Sequence, residues 1–71
     1  MDAVLGARDG WVVGVEVKAS ATVGSRDFAG LRTLQEDAGE RFQQGVVLYT
    51  GQQVLPFGDR LTALPMGALW S

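Results

Sequence analysis

The chain has 71 residues, six of them basic and eight acidic, for a net charge of −2, and 46% of it is apolar. So short a chain forms one domain at most and buries only about 60% of the surface its unfolded form exposes; a single core of this size seldom supplies more than roughly 3–5 kcal/mol. With no cysteine and no histidine, disulfides, thiolate zinc sites and Ser-His-Asp or Cys-His nucleophilic chemistry are excluded. A hard cation held by carboxylates is the remaining metal option. The acidic balance argues against a broad grip on duplex nucleic acid, which rests on many Lys and Arg neutralising phosphates, so nucleic acid is only a minor candidate partner. No apolar run reaches membrane-spanning length, and the N-terminus lacks the regions of a signal peptide. A cytoplasmic chain with no membrane partner is the expectation.

In chain order, Asp2 to Leu5 reads as a short strand and Trp11 to Lys18 as a longer partner rich in β-branched residues. Arg8-Asp9-Gly10 between them suits a three-residue hairpin loop closed by glycine in the left-handed region, a register that sets Asp2 across from Glu16. Trp11, Val13, Val15 and Val17 then share one face, expected to meet a helix, while Val12, Gly14, Glu16 and Lys18 share the polar one. Ser25 is a suitable N-cap, with Asp27 favouring the dipole of the helix that follows. From Arg26 to about Ala38, Phe28, Leu31, Leu34 and Ala38, extended by Phe42, fall on one stripe. Arg32, Glu36 and Glu40 fall on the solvated side, and Gly39 suits the C-cap.

The apolar run from Gly45 to Thr50 reads as a buried strand, and strand, crossover helix, strand is the order of a right-handed parallel pair. Gly51-Gln52 turns the chain back into an antiparallel partner beginning at Val54-Leu55, which Pro56 limits to an edge. Phe57 to Arg60 forms another turn, Leu61 to Leu64 a short strand, and Pro65 opens a last helical turn ending at Trp70. The fold class is therefore α/β: a small mixed sheet with a β-hairpin, a crossover helix and a parallel strand. Because Asp2 directly follows Met1 within the first strand, residues 1–71 are expected to be a single truncated domain of a longer protein.

One group of residues carries chemistry. Strand period two keeps Glu16 and Lys18 on one face, and directly opposed residues have Cβ atoms about 4.5–5.5 Å apart, so Asp2 and Glu16 are candidate ligands for Mg²⁺ or Mn²⁺. The carbonyl of Val17 is a further candidate ligand, with water filling the remaining positions. Such a cation relieves the repulsion between the acids and acidifies water for phosphodiester hydrolysis. Asp2, Glu16 and Lys18 are thus the candidate catalytic residues, Lys18 orienting the water or stabilising charge on the phosphate. Against this stands a simpler reading, in which Glu16 and Lys18 are polar residues on the wet side of a half-buried strand. Ser20 and Thr22 read as turn formers, Arg26 as solvent-exposed, and Trp11, Tyr49, Phe57 and Trp70 as core or end packing rather than base-stacking platforms.

The arrangement D-x13-E-x-K resembles the metal-site signature of the PD-(D/E)xK, restriction-endonuclease-like fold. Asp2, Glu16-Val17-Lys18-Ala19-Ser20, Gly45-Val46-Val47-Leu48-Tyr49-Thr50-Gly51, Pro56-Phe57-Gly58-Asp59-Arg60-Leu61 and Ala68-Leu69-Trp70 together resemble the C-terminal domain of unknown function of bacterial and archaeal AAA-type ATP-binding proteins. That resemblance covers nearly all of the chain and implies a PD-(D/E)xK-like core of a mixed sheet flanked by helices. The upstream ATPase domain of those proteins has no counterpart here: G-x-x-x-x-G-K-[ST] is absent, so no ATP site is carried over. Nor is there a counterpart to the acid that nucleases of the wider fold add from an earlier helix. The alternatives to a nuclease-like domain are a non-catalytic regulatory or docking module derived from such an ATPase, and a homo-oligomer formed through the N-terminal edge strand.

Overall fold

The computed structural model describes the backbone of residues 2–8 and 10–69 and the side chains of residues 10–68. Five strands, β1 (Asp2–Arg8), β2 (Trp11–Val17), β3 (Phe42–Tyr49), β4 (Leu55–Gly58) and β5 (Leu61–Pro65), form one mixed sheet in the order β1-β2-β3-β5-β4. β2, β3 and β5 run parallel, while β1 and β4 lie antiparallel at the two edges. A 3₁₀ turn, Ser25–Phe28, leads into helix α1, Ala29–Ala38, and the two together form the crossover between β2 and β3. The expected hairpin, crossover helix and parallel strand are therefore present.

The hairpin reaches the expected pairing by another route. Arg8 pairs with Trp11 and Ala7 with Val12, so only two residues join the strands, and Gly10 has a φ of 85°. An unbroken ladder from that turn would set Asp2 across from Val17. Instead the register shifts between Val4 and Ala7, where Leu5 and Gly6 together oppose Val13. This one-residue bulge restores Val4↔Gly14, Ala3↔Val15 and Asp2↔Glu16. The extra residue lies within β1 and not in the turn.

The helix packs on the opposite side of β2 from the one expected. Val12 and Gly14 are buried beneath α1, whereas Trp11 is 49% exposed and Val13 and Val15 are half-buried on the far face. The cause is a matched pair of glycines. A methyl group on Gly14 would lie 2.6 Å from Leu31 Cδ2, and one on Gly45, its register partner in β3, would lie 2.8 Å from Leu61 Cδ2 and 2.9 Å from Phe42 Cζ. Helix and sheet approach closely where side chains are missing, so the valine-rich face is left on the outside.

Around that contact Phe28, Leu31, Ala38, Phe42, Val47, Tyr49, Leu61 and Ala63 form the buried core, and Leu34 packs against it from a half-buried position. Phe28 and Phe57 stack with ring centroids 4.7 Å apart. Phe42 is in this core as the first residue of β3, not as an extension of the helix. Gly24, not Ser25, is the N-cap of the 3₁₀ turn, and Asp27 supplies the side-chain acceptor, taking the Gly24 N–H at 2.7 Å. Arg32 is half-buried rather than solvated, donating from Nη2 to the Phe57 carbonyl at 3.1 Å. Gly39 closes α1 at φ 59° and donates its N–H to the Gln35 carbonyl.

β4 pairs with β5 rather than with β3. It lies at the sheet edge, where the missing N–H of Pro56 is tolerated. Arg60, at φ 63°, turns β4 into β5 and donates from Nη1 to the Phe42 carbonyl at 2.7 Å. A 3₁₀ turn, Met66–Leu69, follows β5, and Trp70 lies outside the described residues.

Candidate functional site

β2 delivers Glu16 to the α1 side of the sheet, and Lys18 directly follows its last residue. Glu16 is half-buried, and its Oε1 would lie 3.6 Å from a methyl group on Gly30, in the first turn of α1. The acid thus lies on the side of β2 that α1 covers, with its carboxylate at the helix's exposed first turn. Across the hairpin, Asp2 occupies the directly opposed register position; its side chain lies outside those described. Val17, the last residue of β2, is paired in register with Leu48 of β3.

Lys18 follows β2, donating its own N–H to the Leu48 carbonyl at 2.8 Å. Its ammonium is engaged by Asp27, with Nζ 2.6 Å from Oδ2. Asp27 therefore accepts from both Lys18 and the Gly24 N–H, and these two bonds, the Lys18 bond first, hold its carboxyl below the ordinary aspartate range. The pair ties the loop after β2 to the start of the crossover. The sequence pattern places Asp27 at the start of the helix but does not pair it with Lys18, nine residues upstream.

Carboxylates at opposed register positions supply hard oxygen donors, the chemistry that Mg²⁺ and Mn²⁺ take. Among the described residues there is no cluster of three or more Asp, Glu, His or Cys side chains. A cation bound at Glu16 and Asp2 would keep several waters, as Mg²⁺ usually does.

The residues after β2 and β3 form a second feature. Ser20 and Thr22 face each other at 3.2 Å, and the Thr22 N–H donates to Ser20 Oγ, so both act within a turn. The Thr50 N–H donates to the Ser20 carbonyl at 2.9 Å, joining the two loops. Tyr49, buried in the core, donates its hydroxyl to the Gln53 carbonyl at 2.6 Å. Thr22, Val23, Tyr49, Thr50, Gln53 and Leu55 border an open cleft of about 570 Å³, which neither Glu16 nor Lys18 lines. It opens beyond the carboxyl ends of the parallel strands β2 and β3, the end at which open α/β sheets bind ligands.

Together these features define a small mixed α/β domain with an acidic position on its N-terminal hairpin. The chain belongs to the family described as "Domain of unknown function (DUF4143)", which it matches over residues 1–69. No curated protein and no solved structure matches it. No described helix is long and apolar enough to cross a membrane.

Proposed function

We propose that this domain is a divalent-cation-dependent, nuclease-like module of the PD-(D/E)xK type, with Asp2 and Glu16 as the cation ligands and a phosphodiester as substrate. The observation that carries this reading is the Asp2↔Glu16 register, reached through a dedicated bulge in β1. An irregularity of this kind re-aims side chains and recurs beside active sites. When bound, the cation supplies Lewis acidity toward phosphate and water. The chain's own residues would supply the rest: the carboxylates of Asp2 and Glu16 to hold it, Val17 as the further ligand proposed from the sequence, and α1 alongside Glu16.

Lys18 would act on the phosphate once released from Asp27. Incubating the purified chain with supercoiled plasmid and Mn²⁺ or Mg²⁺ tests the reading. Cation-dependent nicking that disappears in Glu16→Ala supports it, and equal nicking by parent and variant defeats it.

A second reading rests on the Lys18–Asp27 bond at 2.6 Å. If that pair persists when cation and substrate are present, Lys18 is a structural tie and the domain is a non-catalytic docking or regulatory module that keeps a cation site. Asp27→Asn separates the two, because freeing Lys18 raises nicking only if the lysine acts on substrate.

A further inference from the structure

We propose that the cleft between the loops after β2 and β3 is a nucleobase-binding site, taking a base of the substrate strand near the phosphodiester held at the cation site. The choice of ligand rests on the nuclease-like reading above. At about 570 Å³ the cleft falls within the roughly 300–1,000 Å³ usual for small-molecule sites. It lies on the same side of the sheet as Glu16, because Val23 and Leu55 of its wall pack against the core that α1 covers and Tyr49 belongs to that core. No more than about 17 Å of extended chain separates Glu16 from Ala21, where the cleft begins. A few nucleotides, at roughly 3.4 Å or more each, span that distance.

Two bonds and a glycine fix the walls before any ligand arrives. The Thr50 N–H donates to the Ser20 carbonyl at 2.9 Å and locks one loop to the other. The Tyr49 hydroxyl donates to the Gln53 carbonyl at 2.6 Å, drawing the second loop back over its own ring. A methyl group on Gly51 would overlap that ring, so only glycine lets the loop lie so close. A site held in place this way costs less ordering on binding.

The lining selects the ligand. None of the bordering residues is charged, so a phosphate finds no counter-charge there. Val23 and Leu55 offer apolar walls for the face of a ring, which a sugar, hydroxylated on both faces, does not match. The Thr50 hydroxyl and the amides of Gln52 and Gln53 are engaged by no partner among the described residues. They offer donors and acceptors for the edge of that ring, and a glutamine amide can pair bidentately with a base edge. A flat, neutral ring with donors and acceptors around its rim is a nucleobase.

Amide shifts of the isotope-labelled full chain, without metal, titrated separately with adenosine, cytidine, uridine, inorganic phosphate and glucose test the proposal. At least one nucleoside should shift the amides of Thr22, Thr50, Gln52 and Gln53 saturably, with Kd on the order of 0.1–5 mM. The double variant Thr50→Val, Gln53→Ala, changed at two exposed positions and keeping both backbone bonds, should bind about fivefold or more weakly. No nucleoside shifting these amides at about 10 mM, glucose or phosphate shifting them as much, or a double variant that binds like the parent overturns the proposal. Nucleosides carry no phosphodiester and the titration no cation, so the two readings fail separately. Binding without plasmid nicking supports this site and defeats only the nuclease reading; nicking without binding does the reverse.

Discussion

Lys18 and Asp27, nine residues apart, join the strand carrying the candidate acid to the turn that begins the crossover, Nζ to Oδ2 at 2.6 Å. The same carboxylate oxygen accepts the Gly24 N–H at 2.7 Å. Both donors favour the charged carboxylate and lower its folded-state pKa below the reference value of 3.8. A depressed acid contributes stability that is present above the unfolded pKa and is lost as pH falls through the lower folded value. Urea melts of the parent should therefore lose stability as pH is lowered through and below about 3.8, and Asp27→Asn should remove that part of the dependence. An identical acid limb in parent and variant would show that the pair does not persist in solution.

Gly14 and Gly45 set the distance between α1 and the sheet. Gly45→Ala should destabilise by about 1–3 kcal/mol, the usual cost of overpacking. The added methyl meets Leu61, Phe42 and, at 3.4 Å, Leu31 Cβ, which cannot rotate away. Gly14→Ala meets only the movable Cδ2 methyls of Leu31 and Leu34, so its cost should be smaller. Chemical denaturation of both variants gives the order directly; a costlier Gly14 variant would contradict the packing described.

Phe28 has no solvent exposure and stacks on Phe57. Truncating a buried phenylalanine to alanine costs about 3–5 kcal/mol, as much as a core of this size supplies. Phe28→Ala should be largely unfolded at 25 °C by circular dichroism, whereas Phe57→Leu, at a half-buried position, should retain a cooperative transition.

The bulge makes a prediction about register. Deleting Gly6 removes the extra residue of β1 while keeping Asp2 across from Glu16, so cation affinity by calorimetry should persist. Deleting Leu5 and Gly6 together moves Asp2 across from Val15, on the other face, and affinity should fall at least tenfold. Equal affinity for the two deletions would mean that the cross-strand pair does not bind the cation.

Much of the fold was legible in local pattern. β-branched density marked β2 and β3, Gly39 marked the end of α1, and Pro56 marked an edge strand. What the pattern did not convey depended on partners distant in sequence. The valine-rich face of β2 looked like the core face because alternation shows that two faces differ, not which one a helix covers; the pairing of Gly14 with Gly45 decides that, and it appears only once β2 and β3 are in register. Placing β5 between β3 and β4 likewise depends on which edge accepts the returning chain. For the candidate site, the Asp2↔Glu16 register was reachable from hairpin geometry, but the bulge between Val4 and Ala7 was not, because the expected first strand ends at Leu5 and leaves Gly6, a bulge signal only inside a strand, outside it. The contact between Lys18 and Asp27 was hidden because their separation is meaningful only after the crossover has folded back.

The most direct test of the cation site is paramagnetic: Mn²⁺ titrated into isotope-labelled protein, with amide line-broadening followed residue by residue. The account predicts selective broadening at sub-millimolar metal centred on residues 2 and 16 and extending to Gly30, and its loss in Glu16→Gln. Broadening centred on Glu36, Asp37 and Glu40 at the far end of α1, or none near residue 16 at millimolar metal, would contradict it.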